Sequence, residues 1–272
     1  MRLSSGTILH AIGLTAVVLF SLFPFLWMVA ASFKTQSDIL ASPPMWFFTP
    51  TLENYEAIFA DSKVLGAVGH SLLIASATTI LAVILGAPAA FALARYEFRG
   101  KSDLWFWFIS NRMTSPIVLA LPVYLLAMQA NLLDTHIVLI LIYLTFNLPI
   151  VVWICTDQFK SIPSDLEQAA RLDGADQFTI FRKIYLPLGA PGIAVSAIFS
   201  FIFSWNELLY ALVLTRRNVQ TAPVIATSFM SGYELPWGKI MATGTVIVLP
   251  VTIFALIVSR HMVRGLTMGA TK

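Results

Sequence analysis

The side chains in this chain that could do chemistry are few, and most crowd into one stretch, SDLEQAARLDGADQFTIFRKIYLPL, residues 164–188. Asp165, Glu167, Asp173 and Asp176 alternate there with Arg171, Arg182 and Lys183, between neighbours that are almost uniformly apolar. Ser164-Asp165-Leu166-Glu167 has the spacing of a capping box, in which Ser164 caps free amides that Glu167 helps to close. Pro163 suits a chain turning sharply into a helix. Ala169 and Ala170 continue that helix with little bulk, and Asp173-Gly174 stops it, since Gly174 can take the left-handed conformation. A second amphipathic piece follows, with Phe178, Phe181 and Ile184 at helical spacing, and ends at Pro187. A helix this short does not persist alone in water, where about 12–15 residues are marginal. It must dock, either on its own protein or in the groove of a separate partner. A membrane-surface role is disfavoured, because acids stand where anionic lipid would select Lys and Arg.

Little else offers reactivity. There is no Gly-rich phosphate loop with its Lys and Ser/Thr, so ATP hydrolysis is not expected of this chain. His10, His70, His136 and His261 lie near the ends of different apolar stretches, where span-end polarity explains them, and no Ser–His–Asp set converges. The lone Cys155 cannot form an intramolecular disulfide, and no Cys/His spacing suggests a metal site. It reads as a small buried apolar side chain. No catalytic residue, no metal and no cofactor held by this chain are therefore expected.

Two charges stand inside apolar stretches, where they are costly and hence informative. Arg112, beside Asn111, lies roughly 13 Å from the inner end of its stretch, and Glu207 lies roughly 28 Å along another, at 1.5 Å per residue. A depth difference of roughly 15 Å is more than two side chains easily bridge, so no Arg112–Glu207 ion pair is expected. Glu207 keeps company with Trp205, Asn206 and Tyr210, near the outer mouth.

The elements that must position these residues follow from composition. Of 272 residues, 58% are hydrophobic and 11% charged, against roughly 25% charged in a soluble domain. A hydrocarbon core about 30 Å thick takes about 20 apolar residues as a helix, and only helices or closed barrels satisfy the backbone there. Six stretches qualify, at about residues 7–31, 67–94, 104–128, 135–155, 188–214 and 240–258. The expected fold is an all-α integral membrane protein with six transmembrane helices, forming a single domain over residues 1–272. The first stretch is too long, and too rich in Phe23, Pro24, Phe25 and Trp27, for a cleaved signal peptide. Placing the N-terminus inside puts Arg2, Arg95, Arg99, Lys101, Lys160, Arg171, Arg182, Lys183, Arg260, Arg264 and Lys272 on the cytoplasmic side, and only Lys34, Lys63, Arg216, Arg217 and Lys239 outside. By the positive-inside rule both termini, and the 164–188 segment, are cytoplasmic. The same bias accounts for the basic isoelectric point without a nucleic-acid partner. Ala82, Gly86, Ala90 and Ala94, and again Gly192, Ser196, Ser200 and Ser204, recur every four residues, as in close helix seams. Pro116, Pro122, Pro149 and Pro250 would each interrupt the regular hydrogen-bond ladder of a span, a kink that transport proteins tolerate where neighbours satisfy the freed carbonyls.

The 164–188 segment resembles a known motif. Permease subunits of ATP-binding-cassette importers carry Glu-Ala-Ala, three residues, Gly, nine residues, Ile, one residue and Leu-Pro. Gln168-Ala169-Ala170, Gly174, Ile184 and Leu186-Pro187 keep every spacing, with Gln168 in place of the Glu and Glu167 adjacent. ASPPMWFFTPTLENYEAIF (41–59), GAPAAFALARYEFRGK (86–101), FSWNELLYALVLT (203–215) and VRGLTMGATK (263–272) resemble further stations of the carbohydrate-uptake, maltose-type branch, in its shorter six-span partner. The resemblance implies a coupling helix between spans 4 and 5, carried by Glu167, Gln168, Ala169, Ala170, Asp173 and Gly174, that sits in a cleft of an ATPase subunit. It implies a heterodimer with a second permease, two ATPase subunits that bind ATP and Mg, and an external solute-binding protein. The location implied is the bacterial inner membrane. Asn206, Glu207, Ser200, Ser204 and Trp205 become candidates for a sugar path, with the serine ladder open between that role and an interhelical seam. Ser231-Gly232-Tyr233 would be the tip of the loop that reaches the binding protein, and the tail 265–272 would touch the ATPase. The alternatives are an ion-driven secondary transporter, which should carry a carboxylate near the bilayer midplane, and an intramembrane enzyme, which needs a converging polar site.

Overall fold

A computed structural model describes residues 5–230 and 235–269, with side chains over 10–61, 63–230 and 235–256. Its elements are helical throughout the described residues: α1 (Ser5–Ser32), α2 (Gln36–Leu40), α3 (Glu53–Ala60), α4 (Ser62–Arg95), α5 (Lys101–Met113), α6 (Pro116–Gln129), α7 (His136–Lys160), α8 (Ser164–Leu172), α9 (Gln177–Ile180), a π-helical turn (Phe181–Tyr185), α10 (Leu186–Trp205), α11 (Leu209–Leu214), α12 (Ala222–Ser228) and α13 (Trp237–Gly269). Five of the described helices, within α1, α4, α7, α9–α10 and α13, are long and apolar enough to cross a membrane.

The expected third and fifth spans are each interrupted. Over 104–128, Thr114 and Ser115 are both extended, at ψ 127° and 126°, and split the stretch into α5 and α6. Pro116 causes this: it disfavours helical geometry in the residue before it and is pre-set for the first helical position. Pro122, Pro149 and Pro250, by contrast, lie within α6, α7 and α13, which continue through them. The fifth stretch, expected continuous over 188–214, is already helical from Gln177 and stops at Trp205. There Asn206 closes the helix through Asn206 N–H to Ile202 O at 3.0 Å. The Glu207 carboxylate then accepts from Tyr210 N–H (3.0 Å) and Ala211 N–H (3.2 Å), capping α11.

The chain packs as two compact units, one of residues up to Leu65 with Ile225–Leu249, the other of Gly66–Val224 with the residues from Pro250 on. Within the first, Lys34 is 3% exposed, yet its ammonium is provided for. Its Nζ donates to Met45 O at 2.5 Å and lies over the rings of Trp27 and Phe48 at 4.8 and 4.7 Å. Asn54 stitches the same region, donating to Ser32 O (3.0 Å) and Lys34 O (2.8 Å).

In the second unit α7 is the central element. Its Leu139, Tyr143, Val151, Val152, Cys155 and Phe159 are wholly buried. Small residues let α4 and α10 approach it: a Cβ added to Gly86 would sit 2.7 Å from Val151 Cγ1, and one added to Gly189 would sit 2.3 Å from Phe159 Cε1. Ala82 and Ala90 are fully buried with Gly86 between them, so the four-residue ladder of the second span is a helix seam.

Candidate functional site

The polar segment between α7 and α10 is built on the ends of the spans. α7 ends on Ser161, whose N–H reaches Asp157 O at 3.3 Å, and Ile162 is buried just beyond. Arg95, the last residue of α4, donates to Ile162 O. Pro163 then precedes α8, with no side-chain cap. The expected capping box does not form, because Glu167 is engaged elsewhere. Its Oε1 accepts from Arg171 Nη2 (2.7 Å) and Nε (3.2 Å), and its Oε2 accepts from the Tyr185 hydroxyl (2.8 Å) with Arg95 Nε at 3.9 Å. Charged donors outcompete a neutral backbone amide.

Glu167 is therefore the root of α8. Its side chain is 12% exposed, against 47% for Arg171. Burial alone would raise its pKa, but the bonds from Arg171 and Tyr185 and the charges of Arg171 and Arg95 outweigh that, and the net direction is down. Tyr185 is wholly buried, with its ring 4.6 Å from Phe91, 5.8 Å from Phe159 and 4.9 Å from the Arg95 guanidinium. Ala170 and Ala175 pack on the same cluster of Phe91, Phe159, Ile180 and Tyr185.

The turn after α8 has the geometry that Gly174 was expected to supply. Gly174 has φ +82°, and its N–H bonds to Arg171 O (3.0 Å) while Ala175 N–H reaches back to Ala170 O (2.9 Å). Asp176 caps α9 by accepting from Thr179 N–H at 3.0 Å. The Gln177 amide nitrogen donates to the Tyr96 hydroxyl, and its oxygen accepts from Arg171 Nη2 at 2.9 Å.

Of the apolar stripe expected at Phe178, Phe181 and Ile184, Phe181 and Ile184 pack on the cluster beside the buried Ile180 and Tyr185, while Phe178 is 66% exposed. Sequence reasoning thus missed Arg95, Tyr96, Gln177 and Tyr185 as supports. The available signal was an Arg-Tyr pair ending a long apolar span, opposite a segment with an odd number of candidate partners for its acids.

The outward side of α8 is unlike its root. Asp165, Gln168, Ala169 and Asp173 are exposed, and so are Leu166 (44%) and Leu172 (89%). Leu166, Leu172 and the nearby Phe178 thus give the segment large apolar side chains directed away from its own core.

The candidate sugar-path residues separate into two groups. Ser200, Ser204 and Trp205 are 0%, 5% and 1% exposed. Ser204 accepts from Asn147 Nδ2 of α7 at 2.9 Å, and Asn147 also donates to Tyr143 O at 2.8 Å. The serine ladder is thus an interhelical seam. Asn206 is exposed, donating to Ile202 O, and Glu207 is half-buried. Glu207 lines a pocket of about 310 Å³ together with Arg112, whose guanidinium lies 4.5 Å over the Phe203 ring. No Arg112–Glu207 ion pair occurs among the described residues. The two residues nonetheless line one pocket, Arg112 from the end of α5 and Glu207 from just beyond the end of α10. Ser231, Gly232 and Tyr233, and the side chains of the tail 265–272, lie outside the described residues. No group of acids, His and Cys that could hold a metal occurs among the described residues.

With this geometry in view, comparison with known proteins is decisive. Residues 82–268 match the family described as binding-protein-dependent transport system inner membrane component. The chain belongs to that family. It is therefore a multi-pass membrane permease component, which removes the ion-driven alternative. It is 41% identical over 261 residues, 95% of each chain, to the trehalose transport system permease protein SugB of Mycobacterium tuberculosis. It is 33% identical to the trehalose/maltose transport system permease protein MalG of Thermococcus litoralis, over 97% of this chain and 96% of that one. Its fold matches a chain of a bacterial transporter that imports the acidic polysaccharide alginate, with a TM-score of 0.74 at 20% identity, covering 96% and 99% of the two chains.

Proposed function

We propose that this chain is one permease subunit of an ATP-driven importer for a sugar or sugar-like solute in a bacterial inner membrane. Its relatives transport trehalose and maltose by name. In this reading α8 is the coupling helix and lies in the cytoplasm with both termini. Glu167, Gln168, Ala169, Ala170, Asp173 and Gly174 form the element on which a partner ATPase acts. The chain is not itself an enzyme: two ATPase subunits bind ATP and Mg, a second permease completes the pore, and an external binding protein delivers solute, with Ser231-Gly232-Tyr233 as its contact.

One observation carries this reading: α8 is rooted and outward-facing at once. Glu167 ties its inner side to Arg95 and Tyr185, while Leu172 stands 89% exposed on a helix too short to persist alone. A rigid root with an apolar outer side is what a force-transmitting contact requires. Because Glu167 faces inward and Gln168 outward, the partner meets a neutral amide at the motif's first position. ATP-driven closure of the ATPase pair then moves α8, and with it the α4 and α10 ends joined through Arg95 and Tyr185, into alternating access.

The test is purification of the tagged chain from gently solubilised native membranes. A P-loop ATPase and a second permease in stoichiometric yield support the reading, whereas recovery of the chain alone would contradict it.

A further inference from the structure

We infer that the pocket at the two helix breaks is a solute subsite for a single neutral, polyhydroxylated ring, with Arg112 as its principal donor and Glu207 as its acceptor. The inference rests on the sugar-import reading and gives that reading a place in this subunit.

Both walls of the pocket come from interrupted spans. Thr114-Ser115 breaks the α5–α6 stretch at its middle, and Asn206–Leu208 breaks α10 from α11. Extended backbone at membrane depth is tolerated only where it is buried in protein or lines a water-filled cavity. Thr114 N–H reaches Asn111 O (3.4 Å), its hydroxyl donates to Ser110 O (3.3 Å) and Ser115 O accepts from Val118 N–H (3.1 Å), so the break is closed within the chain while both residues stay exposed beside the pocket.

The side chains give that cavity its chemistry. Arg112 is exposed, and its only described contact is the Phe203 face at 4.5 Å, with no carboxylate or carbonyl accepting from it. A guanidinium carries five N–H donors, and leaving them unfilled in a membrane is costly. Glu207 is held rigidly by Tyr210 N–H and Ala211 N–H, and still has acceptor capacity. Asn111 adds a donor and an acceptor, and the Thr145 hydroxyl, which donates to Ile142 O at 2.6 Å, keeps acceptor capacity. Phe146, Phe203 and Tyr210 give the lining its apolar, aromatic part.

Charge and size narrow the ligand. One cation and one anion line the pocket, so an anionic ring drawn to Arg112 would also meet Glu207. A neutral ring meets no such opposition. The volume, about 310 Å³, lies at the lower end of the roughly 300–1,000 Å³ of small-molecule sites. It suits one hexose ring at a time rather than a whole disaccharide.

The test uses the assembled transporter in lipid nanodiscs, with Thr145→Cys as reporter. Thr145 is exposed in the pocket, and the native Cys155 is wholly buried, which keeps background labelling low. A charged methanethiosulfonate reagent is expected to modify the new thiol, and excess D-glucose to slow that modification where excess D-glucuronate does not. Arg112→Ala in the same background should raise the glucose concentration for half-protection by about tenfold or more, as for loss of a charged hydrogen bond. Arg112→Lys should recover part of that loss. No labelling, or labelling that neither sugar slows, in a complex whose ATP hydrolysis still responds to sugar would overturn the subsite and leave the import reading standing. Equal protection by glucuronate would overturn the neutral assignment. A complex that contains no ATPase would overturn both readings.

Discussion

The root of α8 and the pocket at the helix breaks both place charged groups beside a membrane span, yet they treat them in opposite ways. At the root the carboxylate is fully engaged, with Arg95 Nε the one group held only by charge, 3.9 Å from Glu167 Oε2. Glu167 holds Arg171, Tyr185 and Arg95 together, and the polar termini of the segment are closed by Gly174 and Asp176. In the pocket Arg112 lies against an aromatic face and has no acceptor among the described residues. A satisfied cluster with apolar side chains directed outward is suited to transmit force to a protein. An unsatisfied one, open between broken helices, is suited to exchange partners with a solute.

Mutations that damage the root should therefore uncouple the transporter, and those in the pocket should weaken solute affinity. The largest effect is expected for Glu167→Ala, which leaves Tyr185 buried without its acceptor. Its cost is about 1–3 kcal/mol, and sugar-driven uptake in vesicles should fall at least tenfold while the chain still inserts. Gly174→Val comes next. A β-branched residue at φ +82° adds strain of about 1–2 kcal/mol; uptake should drop several-fold with membrane insertion unchanged, and wild-type uptake would refute the role given to the turn. Tyr185→Phe removes one hydrogen bond but keeps the ring packing, so a smaller loss, about 1 kcal/mol, is expected in a thermal-shift measurement of the complex.

Mild acid should produce the smallest effect. The pKa of Glu167 is held below its ordinary value of about 4.3, so its stabilising contribution is fully present above that value. The contribution is lost as pH falls through the lowered pKa in the folded protein. Limited proteolysis across residues 164–177 should therefore stay constant down to about pH 5 and accelerate only in stronger acid. Acceleration between about pH 5 and 7 would mean that another group holds the root.

Much of this contrast is legible in the sequence, for physical reasons. Apolar runs report spans directly, because lipid imposes length and composition at once. Gly174 is legible because only a residue free to take positive φ ends a helix that way. The breaks at Thr114-Ser115 and Asn206–Leu208 are not: several prolines in this chain look alike in sequence, but only Pro116 opens a helix, while Pro122, Pro149 and Pro250 ride within one. Arg95 and Tyr185 as partners of Glu167 were hidden for another reason. They are distant in sequence and brought together by packing. The Arg112–Glu207 pocket escaped because a count of depth ignores the reach of a long Arg side chain, which lies over the Phe203 ring one turn before Glu207.

The central claim, that the outer side of α8 is held by an ATPase, is tested most directly by a photoreactive benzoyl-phenylalanine in place of Leu172, irradiated in native membranes. The structure predicts a crosslink to a P-loop ATPase that is lost when the same probe replaces the buried Ile180. Crosslinks confined to lipid, to the second permease or to the chain itself would contradict it.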